Sequence, residues 1–141
     1  MLLSIVTWCL KLNAQVPVTR IDSLKALIER EDLSDKERIK LYNDLANSCK
    51  VRSLDSMYKY TKLALSLSEV NNDKEGLIYS YKNLATYQSM TYVAMDSVFQ
   101  TFRLALKYAE EIKDIRSQAG LYNNISPVSY THLTLPTILL V

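Results

Sequence analysis

The sequence predicts an all-α chain, and three observations carry the prediction. Its 141 residues include only 2 Gly and 3 Pro, where average usage gives roughly ten and seven. The prolines are Pro17, Pro127 and Pro136, so none falls between Val18 and Ser126, and that stretch holds only Gly76 and Gly120. Sandwiches, barrels and Gly-looped nucleotide folds need many more turn residues of these kinds. Finally, apolar residues recur at helical spacing from the first third of the chain to Ile125.

Six helices are expected in turn. The first follows Asp22 and ends near Asp32, with Ile21, Leu24, Leu27 and Ile28 on one face. Ser34 and Glu37 then stand at capping-box spacing, the serine accepting from the amide three residues on while the glutamate reaches back. They open a second helix that carries Ile39, Tyr42, Leu45, Ala46 and Cys49 and ends around Val51. The third runs from about Leu54 to Val70, with Met57, Thr61 and Ala64 facing inward. Asp73 is a good N-cap for the fourth, which carries Ile78, Tyr81, Leu84 and Ala85. The fifth follows Asp96, with Val98, Phe102, Ala105, Ala109 and Ile112 as one stripe. Asp114 caps the sixth, whose expected face is Ile115, Ala119, Tyr122 and Ile125. Short loops make consecutive helices antiparallel.

The pattern repeats. Residues 54–73 align without gaps on residues 95–114, at an offset of 41, with Asp55/Asp96, Ser56/Ser97, Leu63/Leu104, Ala64/Ala105 and Glu69/Glu110 identical. The preceding helices match as well: Tyr42-Asn43-Asp44-Leu45-Ala46, Tyr81-Lys82-Asn83-Leu84-Ala85 and Tyr122-Asn123-Asn124-Ile125-Ser126 recur at offsets of 39 and 41. A helix pair of about 40 residues is the unit, and self-similarity at such a period marks stacked-repeat architectures.

These residues resemble the tetratricopeptide repeat family, in which an aromatic, a leucine and a small residue mark the first helix of each pair. Tyr42, Leu45 and Ala46, then Tyr81, Leu84 and Ala85, supply that pattern, and Val98, Phe102 and Ala105 match the second helix. The period exceeds the usual 34 residues, as in variant repeats of bacterial sensor proteins, the inter-helix glycine is missing, and Met57 and Thr61 differ from the pattern. The resemblance covers about residues 35–126. It implies a right-handed superhelical solenoid of antiparallel helix pairs, with units at about 35–73 and 74–114 and a partial third at 115–126. The array is incomplete, so the chain reads as the N-terminal fragment of a longer one.

The two ends differ from the middle. Residues 1–14 are expected to be a signal peptide, because the short apolar run from Leu2 to Leu10 is followed by the small-residue end Leu12-Asn13-Ala14. The alternative is a helix covering the end of the array. The protein is then exported or periplasmic if the leader is real, and cytoplasmic otherwise. Residues 127–141, which carry no charge, two prolines and the only histidine, His132, are expected to be foreign sequence. A native tail over the last helix is the alternative.

Chemistry is sparse. The 17 basic and 15 acidic residues are interspersed, so no stripe favours nucleic acid. Cys9 and Cys49 fit no metal spacing, and no cofactor or metal is expected. No catalytic constellation appears, and paired acids such as Glu29/Glu31 and Glu110/Glu111 read as solvated helix surface. No membrane span is expected. What the resemblance implies is a concave groove lined by the first helix of each pair. Its positions would be Lys40, Asn43, Asn47 and Lys50 in one repeat and Tyr79, Lys82, Asn83, Thr86 and Met90 in the next. Amides, ammonium groups and flat rings of this kind suit an extended peptide. The family's chaperone-tail clamp is not expected, because Asn43, Gly120 and Asn124 stand where its cations belong. Two functions are carried forward: a non-catalytic protein-interaction module, and the extracytoplasmic sensor region of a histidine kinase or transcriptional regulator.

Overall fold

The computed structural model describes residues 19–125, and every regular element among them is helical. The expected leader (1–14) and foreign tail (127–141) lie outside the described residues. The helices are α1 (Arg20–Ile28), α2 (Asp35–Cys49), α3 (Leu54–Val70), α4 (Lys74–Met90), α5 (Met95–Glu111) and α6, helical from 115 to 125 where the described residues end.

Local chemistry sets the starts. Thr19 caps α1 in a capping box: it accepts from the Asp22 amide at 3.3 Å, and Asp22 accepts from the Thr19 amide at 3.1 Å. Asp22 is therefore inside the helix rather than before it, because Thr19 offers the earlier cap. Ser34 and Glu37 form the expected box, with the Ser34 amide donating to Glu37 at 2.9 Å. The Ser53 hydroxyl caps α3 and the Asp114 carboxylate caps α6, accepting from the amides of Ser56 (3.2 Å) and Ser117 (3.1 Å). Asp73 does occupy the N-cap of α4, but its side chain makes no cap bond. Ala94, not Asp96, precedes α5, so Asp96 sits in the first turn, where a negative charge meets the positive end of the helix dipole.

The ends close without glycine. Asn72, Tyr92 and Lys113 take positive φ of 50°, 56° and 57°. The amide after each one reaches back to the carbonyl five residues earlier, Asp73 to Ser68 at 2.9 Å, Val93 to Gln88 at 3.1 Å and Asp114 to Ala109 at 2.9 Å. This is the left-handed C-terminal closure usually built with glycine.

Packing is sequential. Each of α1 to α5 packs on its neighbour in the chain, and α2 also packs on α4. The repeat-equivalent inward residues are buried in both pairs: Met57, Thr61 and Ala64 of α3, and Val98, Phe102 and Ala105 of α5. Phe102, Ala105 and Ala109 form one cluster with Ile78 and Ala85 of α4 and Leu121 of α6. On α6 the expected face is displaced in part. Ile125 packs against the cluster as expected and Leu121 points into it, while Ile115 and Tyr122 are 71% and 52% exposed and Ala119 is exposed too. Ile112 also leaves the α5 stripe for solvent, because it lies at the C-cap rather than in the helix. Leu27 of α1 is likewise exposed.

Among the described residues no helix is long and apolar enough to cross a membrane.

Two outcomes are expected. The Thr61 hydroxyl is fully buried with no hydrogen-bond partner, at the position Phe102 fills one repeat later. Thr61→Val removes the orphan group at nearly constant shape and should stabilise the chain by about 1 kcal/mol, read from urea unfolding. The cap hydrogen bonds hold the carboxyls of Asp22, Glu37 and Asp114 below their usual range. Their contribution is present above the unfolded-state pKa values and is lost as pH falls through the lower folded ones. The thermal midpoint should therefore drop as pH falls from about 5 to about 3, and Ser34→Ala should flatten part of that drop.

Candidate functional site

The α2–α4 contact places the first helices of consecutive pairs side by side, and a groove of about 570 Å³ opens along them. Gly76 makes the approach possible. A Cβ there would crowd the Ser68 hydroxyl of α3, lie 2.6 Å from Ile39 Cγ2 of α2 and 2.7 Å from Asp73 Oδ2. Real carbon atoms do not approach that closely, so three segments meet where a side chain is missing.

The floor is a buried amide network. Asn43 and Asn83 are only 7% and 4% exposed. Asn83 Nδ2 donates to the Asn43 carbonyl at 3.2 Å and to Asn43 Oδ1 at 3.1 Å. The Ser80 hydroxyl donates to Asn43 Oδ1 at 3.2 Å, and Asn43 Nδ2 donates to the Gly76 carbonyl at 3.5 Å. Each bond joins α2 to α4. Buried polar groups are costly unless paired, so the network both satisfies these residues and fixes the register of the two helices.

The walls are polar and of mixed charge. α2 contributes Lys40, Asp44 and Asn47, and α4 contributes Tyr79 and Lys82. At one end Lys36 of α2 meets Glu75 of α4 at 3.3 Å. That pair is exposed and contributes little to stability. Lys82 Nζ lies 4.8 Å from the centre of the Tyr79 ring, a cation–π arrangement. Burial pushes the Lys82 ammonium below its usual pKa, and the charge of Lys50 adds to the effect. A partly buried cation beside a second cation leaves an electrostatic demand that an acidic group on a bound segment would meet.

Of the nine residues expected in the groove, the structure brings six to its lining: Lys40, Asn43, Asn47, Tyr79, Lys82 and Asn83. Lys50, Thr86 and Met90 do not line it. Lys50 is the C-cap of α2, and the Thr86 hydroxyl donates back to the Lys82 carbonyl at 2.9 Å. Met90 is exposed near the end of α4. Sequence reasoning missed Gly76 and Ser80. A glycine inside a helical pattern signals a close approach, and Gly76 carried that signal; Ser80 carried none.

Cys49 is a buried free thiol whose pKa burial raises, with Lys25 and Arg52 acting against the rise. Among the described residues no group of three His, Cys, Asp or Glu side chains could hold a metal ion.

No family model matches the chain. It is similar to proteins named transcriptional repressor NrdR from Clostridium botulinum. Those of strains Hall and Okra are 29% identical over 118 residues, 76% of this chain and 78% of the relative. That of strain 657 is 29% identical over 119 residues. No solved structure matches.

The network makes a stability prediction. Asn43→Ala strips Ser80 of its acceptor and Asn83 of one of its two, and removes the Asn43 amide from the network, and should destabilise the chain by about 2 kcal/mol, measured by urea unfolding. Asn43→Leu should not restore it, because the Ser80 donor stays buried.

Proposed function

We propose that this chain is a tetratricopeptide-like interaction module, non-catalytic, that binds an extended segment of a partner protein along the α2–α4 groove. In this reading the helix pairs stack as a right-handed solenoid, with α2, α4 and α6 as successive first helices. The packing of α2 on α4 across the intervening α3 supports it, since it lets one groove run over consecutive units.

The observation that carries the binding reading is the pairing of Lys82 with Tyr79 on one wall, opposite Lys40 and Asn47 on the other. The ring offers flat contact area, the lysines offer charge for acidic side chains, and Asn47 offers a donor and an acceptor for peptide backbone. The floor amides are engaged between helices, so recognition falls to the walls.

A second reading makes the chain part of a regulator, as a sensor region whose output lies in another domain. The likeness to proteins named as transcriptional repressors favours it. It is compatible with the groove, because a sensor also needs a ligand site.

Selection from a displayed peptide library, followed by calorimetric titration of the selected peptides, tests the first reading. Tyr79→Ala and Lys82→Ala should each weaken binding about tenfold. Both residues are at the surface of the groove, so the fold should persist. Selected peptides that bind both variants as tightly as the parent chain would place the site elsewhere. The same chain titrated with duplex DNA should show no binding; a salt-dependent shift would favour direct repressor action.

A further inference from the structure

The groove along α2 and α4 has two unlike ends. Contacts between the helices keep the same order along both: Lys36 meets Glu75, Asn43 meets Gly76, Ser80 and Asn83, and Lys50 acts on Lys82. The two helices therefore run parallel, and charges at one end of the groove stay apart from those at the other. The N-terminal end is lined by Glu37, Asp73 and Glu75 against the single cation Lys36, so it is net negative. Glu37 stays ionised there, because the Ser34 amide and hydroxyl both donate to its carboxylate, at 2.9 and 2.6 Å. Asp73 makes no cap bond and no ion pair among the described residues, and its carboxylate lies against Gly76. At the other end Lys82 lines the groove with Asn47 and Asn83. Neither Lys82 nor the nearby Lys50 forms an ion pair among the described residues. Between the two ends Lys40 and Asp44 offset each other.

We infer that the groove takes a segment carrying one cationic and one anionic side chain about three residues apart, the cation over Asp73 and Glu75 and the anion over Lys82. This rests on the reading of the groove as a peptide site and adds what the peptide must carry. Glu75 and Lys82 are seven residues apart on α4, about 10 Å at the helical rise of about 1.5 Å per residue. In the polyproline II conformation residues three apart share a face and lie about 9 Å apart. One pair of opposite charges at that spacing meets both ends of the groove at once. A segment with two acids would set one of them against the Asp73 and Glu75 carboxylates. A segment with two lysines would set one against Lys82 and Lys50. Like charges brought together in this way reject the wrong segment. Either chain direction satisfies the two ends, so Lys-x-x-Glu and Glu-x-x-Lys are equivalent.

The test titrates the full chain calorimetrically at low ionic strength with three end-capped hexapeptides: Pro-Lys-Pro-Pro-Glu-Pro and its Glu/Glu and Lys/Lys versions, whose prolines hold the polyproline II form. The mixed peptide should bind about fivefold more tightly than either of the others, a preference that shrinks as added salt screens the charges. Lys82→Glu should shift the preference to the Lys/Lys peptide, and Glu75→Lys should shift it to the Glu/Glu peptide. A variant that merely failed to fold would not regain binding when the peptide charge is changed to match. Lys62→Glu, exposed on α3 outside the groove, should leave the order unchanged. Equal binding of the three peptides, tightest binding of the Glu/Glu peptide by the parent chain, or a preference unmoved by the two charge reversals overturns the inference and leaves the groove a peptide site. Binding of none of the three overturns it as well. If the displayed library also yields no peptide that Tyr79→Ala weakens, the peptide-site reading itself fails.

Discussion

The structure depends on how closely α2 and α4 approach each other. Two helices that are not neighbours in sequence touch across the end of the helix between them, and Gly76 is where they do so. A glycine inside a helix costs roughly 1 kcal/mol relative to alanine, a cost offset here by the packing it admits. Ser68 of α3 is fully buried at the same junction and bonds its hydroxyl to the Ala64 carbonyl at 2.7 Å. The Asn43–Ser80–Asn83 network then fixes which turn faces which. A hydrophobic contact alone would tolerate sliding, because one apolar turn resembles the next. An amide network does not, because slipping by a turn would leave buried donors and acceptors unpaired. The groove walls inherit their spacing from this contact, so its shape is decided one layer below the residues that line it.

Turn chemistry follows a related economy. Glycine scarcity pointed to helices, yet helix ends usually need a left-handed residue. The structure supplies it with Asn72, Tyr92 and Lys113. Asparagine tolerates that conformation; tyrosine and lysine adopt it at a cost of about 1–2 kcal/mol. Asn72 and Lys113 are equivalent positions in the repeat, so the backbone geometry is held in common while the side chain changes. The closing hydrogen bonds to Ser68, Gln88 and Ala109 carry the turn. That is why connections so poor in breakers can still be short.

Much of this was legible in the sequence, because caps and periodicity act locally. The Ser34–Glu37 box, the Asp114 cap and the buried stripes of α3 and α5 could be read from spacing alone. Less legible was anything decided by a neighbour. Asp73 had the right residue type for a capping bond, but its carboxylate makes none and lies against Gly76 instead. Helical spacing placed the α6 face on Ile115, Ala119, Tyr122 and Ile125, whereas of these only Ile125 packs against the core, beside Leu121. Periodicity says that a helix has an apolar side; it does not say which neighbours are present to cover it. The groove was half legible for the same reason. Lys40, Asn47, Tyr79 and Lys82 could be assigned to its walls by helical phase. Asn43 and Asn83 share that phase but turn inward, because Asn43 finds Ser80 and the Gly76 carbonyl there and Asn83 finds the carbonyl and side-chain oxygen of Asn43.

Thr61 and Lys82 depart in different ways from the rule that buried polar atoms are paired and cations avoid burial, and the contrast between them is informative. Thr61 sits fully inside the α3 interface with an orphan hydroxyl. Nothing reaches it from solvent, so its cost has no outlet and it is a packing defect at a position where Phe102 does better. Lys82 opens onto the groove. Its ammonium is held against Tyr79, with burial and Lys50 both disfavouring its charge. A surface lysine could escape this by swinging into water, and the ring contact keeps it where a ligand would find it. Local inconsistency in a natural fold concentrates at sites that serve something other than stability. By that criterion the Lys82 wall, and not the more deeply buried Thr61, supports the binding role proposed for the groove.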